Sequence, residues 1–286
     1  MSLPRETLEK AKDVHSEEPV VRLKLDRVGS FGLRVPVEVN GLIILAEADV
    51  WVSLPETRRG VDLSRQVEAL YRVSDPPRAP EKLVHELVKL LLDLLPYADS
   101  SGASLRFDVF QPDSRTFYRA EVSSKLERDG RMLNGTRVEL TGMTACPCTM
   151  ELIRAHYGFE DEFGATHTQR STGILEVISK SEHLDHRKLA NLIERAMSSP
   201  LRTLTKRPEE AGLVLSSLMN PKLAEDVLRE MIRLLLIDFP AIEDDATIFA
   251  AVRSFESVHM HDIYAEIRSS FRELRLEFSS FPEQSQ

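Results

Sequence analysis

Two hydrophobic periods alternate along the chain. In "GLRVPVEVNGLIILAEADVWVSLP" Val, Ile and Leu dominate, and Asn40-Gly41 in its middle marks a two-residue hairpin turn, so the stretch predicts paired strands. "EKLVHELVKLLLDLLPYA" changes to helical spacing and predicts a helix from Glu81 to Leu95, stopped by Pro96. "SLRFDVFQP" and "FYRAEVSSKLERDGRMLNGTRVELTG" alternate like strands, with Asp129-Gly130 and Asn134-Gly135 as turns. "HTQRSTGILEVISKS" reads as a further strand. "LDHRKLANLIERAM" carries Leu189, Leu192, Ile193 and Ala196 at helical spacing. "NPKLAEDVLREMIRLLLIDF" predicts a second helix, with Asn220 as N-cap and Pro221 at the first helical position. "TIFAAVRSFESVHMHDIYAEIRSSF" returns to extended structure.

The chain therefore reads as two copies of strand pair, helix pair, strand pair, alike in architecture rather than in residues. Helices segregated to one face of antiparallel sheets make an α+β protein. The expected divisions are a mobile arm at 1–20, a first half at 21–143, a second half at 144–276 that carries most of the chemistry, and a polar tail at 277–286.

Composition narrows the function classes. With 42% hydrophobic and 29% charged residues the chain has the make-up of a soluble globular protein. No apolar run approaches the ~18–20 residues that span a bilayer, and "MSLPRETLEKAKDVHSEEP" lacks the apolar centre of a secretory signal. A formal net charge of -9 argues against a general nucleic-acid binder, but leaves room for a local basic pocket. The two cysteines, Cys146 and Cys148, are too close to bridge each other, and the expectation is reduced thiols in the cytoplasm.

The polar residues able to carry chemistry cluster late. Cys146-Pro147-Cys148 is either a pair of small residues in a tight loop or a thiolate contribution to a Zn²⁺ or Fe²⁺ site. His167 follows in "GATHTQR", beside Gln169 and Arg170, which suit a polar ligand. "TKRPEEAG" sets Lys206 and Arg207 beside Glu209 and Glu210, as a charged connection or as a phosphate grip with one carboxylate to spare. Glu225 lies beside the apolar stripe of Leu228 and Ile232, where burial requires a partner such as two N–H donors. "SFESVHMHD" is the densest cluster, with Glu256, His259, His261 and Asp262. On a regular strand His259 and His261 share a face and Glu256 does not, so a common ligand requires the strand to bulge or stop between them. A cysteine, histidines and carboxylates together point to a metal site that activates water.

In this order, C-P-C, G-A-T-H-x-Q-R, K-R-P-x-E, N-P-x-x-x-E-D and E-S-x-H-x-H resemble the GTP cyclohydrolase IB family. "RGVDLSR" in place of R-G-x-H-M-S-R, with Thr149, Thr166 and Thr168, departs from the bacterial pattern, and "GMTACPC" looks more like the family's archaeal MptA-type branch. The resemblance implies the tunnelling fold (T-fold), with tandem ββααββ modules in a homotetramer. It implies hydrolysis of GTP at C8 by metal-activated water, release of formate, and a dihydroneopterin phosphate for pterin or folate synthesis. The archaeal branch implies a 2′,3′-cyclic phosphate, with Fe²⁺ favoured over Mn²⁺ or Zn²⁺; the bacterial branch implies the triphosphate. Carried over by motif, Cys146, His167, Glu210, Glu256 and His259 are metal or proton-carrying residues. Glu225 anchors the guanine edge, and His261 orients a ligand. Lys206, Arg207 and Arg170 are assigned to the phosphates by charge and position. Two rivals stand beside this reading: an NADPH-dependent nitrile reductase of the same fold with a cysteine nucleophile, and an oligomer that uses its metal for structure alone.

Overall fold

Asn40 and Gly41 both take positive φ, 54° and 75°, which is the primed hairpin turn their sequence predicts. They join β1 (Leu25–Val39) to β2 (Leu42–Leu54). The computed structural model describes residues 11–112, 115–158 and 164–280. After β2 come α1 (Leu63–Val73), α2 (Pro80–Leu94), β3 (Ser100–Gln111), β4 (Thr116–Glu127) and β5 (Met132–Ala145). Then follow α3 (Pro147–Tyr157), β6 (Thr168–Ser179), α4 (His186–Ala196), α5 (Arg207–Met219), α6 (Ala224–Asp238), β7 (Thr247–Phe255), β8 (Ile263–Ser270) and α7 (Phe271–Ser279). The strands lie in one sheet in chain order, β1 to β8, and the pairs β1–β2, β5–β6, β6–β7 and β7–β8 are antiparallel. The α+β class expected from the pattern is the class observed.

Two compact units divide the chain: Met1–Leu105 with Ser123–Met132, and Arg106–Val122 with Leu133–Gln286. In the first, Val35, Val37, Ala46, Ala48 and Val50 of the hairpin and Leu70, Leu83, Leu87 and Leu91 of the helices are fully buried. In the second, Leu189, Ile193, Val227, Met231 and Leu235 of α4 and α6 pair their apolar stripes with Leu175, Val177, Ile248 and Ala250 of β6 and β7.

Several expectations change. Asn134-Gly135 is not a turn but the interior of β5, in register with Ser179 and Ile178 of β6. Asn134 is spent there on a hydrogen bond from Nδ2 to the Ser181 carbonyl, while Gly130, with φ 92°, makes the turn that precedes β5. Asn220 does not cap the helix after it. It ends α5 and donates to the carbonyls of Met197 and Ser198. The Lys222 amide bonds the Ala145 carbonyl, which holds the chain extended until Leu223, where Asp226 accepts from the Leu223 amide and α6 begins. "TKRPEEAG" opens a helix, α5, and the last extended stretch contains a break and ends in α7. The expected arm lies in part outside the described residues. Over His15–Glu17 it is tied by backbone bonds from Arg59 and Gly60. Of the expected tail, Glu277–Ser279 close α7 and 281–286 lie outside the described residues.

Candidate active site

Three neighbouring strands build the site by running out of apolar residues together. The core-facing row of β5 reads Val138, Leu140, Gly142, Thr144, and the alternation continues to Cys146. The facing row of β6, read towards its start, is Leu175, Gly173, Ser171, Gln169, with His167 next in line. On β7 the row is Ile248, Ala250, Val252, Ser254, then Glu256. At one end of this face, thiol, imidazole and carboxylate replace the core.

Local chemistry holds each one. The Cys146 amide bonds the His167 carbonyl at 3.1 Å, so the two residues face each other as a last rung of the β5–β6 ladder. Pro147 starts α3, and Cys146 Sγ accepts from the Thr149 amide at 3.5 Å, the place of an N-cap oxygen. Thr166 Oγ1 donates to the Cys146 carbonyl at 2.7 Å. His167 Nδ1 lies 3.0 Å from Gln169 Oε1 and 3.4 Å from Ser257 Oγ. Glu256 Oε1 accepts from Ser254 Oγ at 2.8 Å and from Gln169 Nε2 at 3.4 Å. Strand β7 stops at Phe255, so 256–262 is a loop, and the conflict between Glu256 and the two histidines on one strand does not arise.

The other expected residues are placed less centrally. His259 and His261 stack on each other in that loop, ring centroids 5.3 Å apart, both exposed. Arg170 is exposed on β6, in register with Phe255. Lys206, Arg207 and Glu210 are exposed at the start of α5, where Glu209 accepts from the Lys206 amide at 2.9 Å. Glu225, exposed in the first turn of α6, lines a cavity of 840 Å³ with Arg229, Arg233, Ala265, Ile267 and Phe278. The bond from the Lys222 amide to the Ala145 carbonyl, 3.0 Å long, brings the approach to α6 beside Cys146. Lys222 Nζ donates to the Ala196 carbonyl, and burial pushes its ammonium below the ordinary lysine range. Cys148 and His156 are exposed on α3.

The chain thus brings Cys146, His167 and Glu256 to one sheet end. Among the described residues no three His, Cys, Asp or Glu side chains lie together as a metal-holding group. The donor types are of the kind that suits a divalent metal such as Zn²⁺ or Fe²⁺, and with Nδ1 facing Gln169 it is Nε2 that His167 would offer to one. Thr144, Ser171, Ser254 and Ser257 escaped the sequence reading. For the first three the signal was present as polar residues in "LTGMTAC", "HTQRS" and "VRSFE", where the buried row should have stayed apolar, whereas Ser257, exposed in the loop after β7, gave none.

Comparison with known proteins identifies the family. A family model described as type I GTP cyclohydrolase folE2 matches residues 11–265. A protein of Korarchaeum cryptofilum named GTP cyclohydrolase MptA is 61% identical, covering 98% of this chain and 100% of its own. A namesake from Thermoplasma acidophilum is 31% identical over 92% of this chain and 96% of its own. Among solved structures, the uricase of Arthrobacter globiformis superposes with TM-score 0.56 at 12% identity, over 88% of this chain and 95% of that one. A Bacillus fastidious uricase gives 0.53 at 9% identity, over 90% and 97%. That likeness concerns the fold, an α+β tunnelling type, and nothing of the chemistry.

Proposed function

The chain belongs to the type I GTP cyclohydrolase family, and from that premise we propose a metal-dependent hydrolysis of GTP at C8 that releases formate and leaves a 7,8-dihydroneopterin phosphate. The observation that carries the proposal is the convergence of Cys146, His167 and Glu256 where the core-facing rows of β5, β6 and β7 end. The nitrile-reductase alternative gives way to the family match. The purely structural metal remains for the assay below to decide.

Cys146, His167 and Glu256 would hold one divalent metal per subunit, Fe²⁺ favoured and Mn²⁺ or Zn²⁺ possible, with Glu210 and His259 completing the set or carrying protons. The metal supplies Lewis acidity that makes water nucleophilic near neutral pH. The rest falls to side chains. Glu225 accepts the N–H donors of the guanine edge, and Lys206, Arg207 and Arg170 take the phosphates. A water adds to C8, the C8–N9 bond breaks and N9 takes up a proton. A second water adds to the same carbon, the C8–N7 bond breaks, N7 takes up a proton and formate leaves. The opened ribose then rearranges, and its C2′ carbonyl condenses with the N7 amine, losing water, to close the dihydropterin ring. Where Glu210 and His259 are not ligands, they can receive and return the protons that these steps move.

Among the described residues no three of Cys146, His167, Glu210, Glu256 and His259 lie together as a metal-holding group within one chain. Helix α5, which carries Glu210, buries only Ser217. Both observations support a homo-oligomer, read as a tetramer of two-module T-fold chains, in which assembly completes the site. The archaeal likeness favours the 2′,3′-cyclic phosphate over the triphosphate, and the two unbridged thiols suit a reducing cytoplasm as the place of work. No helix of the described residues is long and apolar enough to cross a membrane.

Anaerobic incubation with GTP and Fe²⁺, Mn²⁺ or Zn²⁺, with formate assayed and the pterin weighed by mass spectrometry, tests the proposal. Metal-dependent formate is expected, reduced to background in Cys146→Ala. Formate without metal, or full activity of Cys146→Ala, would sink it.

A further inference from the structure

Buried hydroxyls on sheet cores need a reason, because each must find a partner away from water. Thr144 and Ser171 are 0% exposed and Ser254 is 2% exposed, yet they are the last fully buried positions in the core-facing rows of three adjacent strands. Ser254 is in register with Ser171, and Thr144 with Gln169. Thr144 Oγ1 and Ser171 Oγ are 2.7 Å apart, Ser171 Oγ donates to Ser254 Oγ at 3.1 Å, and Ser254 Oγ donates to Glu256 Oε1 at 2.8 Å.

Counting protons gives this chain one direction. An ionised carboxylate only accepts, so Ser254 spends its single proton on Glu256. Ser171 spends its proton on Ser254. Thr144 must then donate to Ser171. Gln169 works from the other side in the same sense. Its amide N–H donates to Glu256 Oε1 at 3.4 Å, which turns its carbonyl oxygen towards His167 Nδ1 at 3.0 Å. That oxygen accepts only, so this bond calls for a proton on His167 Nδ1 and leaves Nε2 outside it. Ser254 and Gln169 both reach the same oxygen of Glu256, Oε1, and among the described residues Oε2 and His167 Nε2 are left for other work.

We propose that Thr144, Ser171, Ser254 and Gln169 form a positioning relay that fixes the Glu256 carboxylate and the tautomer of His167, so that Oε2 and Nε2 both face the reacting centre. The relay rests on the reading that Glu256 and His167 belong to that centre. Its members are positioning residues and touch neither substrate nor metal. The apolar alternative for the same positions, Val and Ala, would pack the sheet end equally well and give the two functional side chains no fixed orientation.

The test uses the full-length protein and the variants Ser254→Ala, Ser254→Thr, Thr144→Val, Thr144→Ser and Gln169→Leu. Three readouts are taken: Mn²⁺ affinity by titration without substrate, kcat and KM for formate release, and the His167 tautomer by ¹⁵N NMR of the metal-free protein. Circular dichroism and melting curves show that each variant is folded. Losing an orienting partner of a ligand costs roughly 10–100-fold in affinity or activity. Losses of that size in Mn²⁺ affinity and kcat are expected for Ser254→Ala and Gln169→Leu, with KM for GTP little changed. Ser254→Thr and Thr144→Ser should restore the wild-type values, and Gln169→Leu should lose the Nδ1–H tautomer. Wild-type affinity, turnover and tautomer in folded Ser254→Ala and Gln169→Leu would overturn the relay, as would a loss that the hydroxyl-keeping variants share. If the wild type itself bound no Mn²⁺ and released no formate, the proposed function would fall instead, and the tautomer would still decide the relay.

Discussion

Gly142 and Gly173 mark where the core-facing rows give way from packing to chemistry. A Cβ on Gly173 would stand 2.6 Å from Ile193 Cγ2, 3.1 Å from Met197 Cε and 3.2 Å from Met231 Sδ. One on Gly142 would stand 2.4 Å from Met197 Cγ. Helices α4 and α6 therefore sit close against the sheet at the step before Ser171 and Thr144, which shields the hydroxyls from water. The methionine ends can swing aside, but Ile193 is fully buried and β-branched, with little rotamer freedom. Gly173→Ala should then cost about 1–3 kcal/mol, the usual range for overpacking. Urea unfolding of the variant checks this, and an unchanged midpoint would mean that α4 is free to retreat.

At the scale of elements, local signals survived wherever a single turn or stripe decides the outcome. Asn40-Gly41 made its hairpin, and the apolar stripe of α2 runs from Pro80 to Leu94 against an expected Glu81 to Leu95. The same kind of dipeptide at Asn134-Gly135 failed because twelve register pairs between β5 and β6 outweigh one turn preference. The start of α6 was misplaced because a long-range bond, Lys222 to Ala145, holds Asn220 and Pro221 outside the helix. In the site, ligand-type residues could be read singly from the sequence, whereas the hydroxyls that orient them became visible only through strand register. Helix α5 is the element least explained by its own chain. It spans 13 residues and buries only Ser217, while Val214, Leu215 and Met219 are 43%, 41% and 57% exposed. A helix of that length is marginal without tertiary packing. If a second copy supplies that packing, Leu215→Glu should lower the assembled mass measured by light scattering, and formate release should fall in step. An unchanged mass with normal activity would show that α5 faces solvent in the working enzyme.

For the whole molecule, charge sets a direction to stability against pH. The hydrogen bond from Arg233 holds the Glu230 carboxyl below its ordinary range. Burial pushes Asp185 up, but its bonds from Arg187 outweigh that and leave it lowered. Lys180 lowers Asp245, and the Ser270 amide with the Ser269 and Ser270 hydroxyls lowers Glu273. All four belong to the unit that carries the site. Each carboxyl titrates lower in the folded state than in the unfolded one, so at acid pH the unfolded chain binds more protons. Their stabilisation is complete above the ordinary carboxylate range of about 4 and is lost as pH falls through the lowered folded values. Asp245 and Glu273 are exposed and salt-screened, so Asp185 and Glu230 should dominate. The melting temperature should therefore stay level from neutral pH down to about 5 and fall progressively below about 4. Asp185→Asn should make that fall shallower and lower the neutral plateau, because it removes the charge that Arg187 meets but leaves a side chain able to cap α4. A melting curve as steep in acid for Asp185→Asn as for the wild type would assign the acid response to other carboxyls.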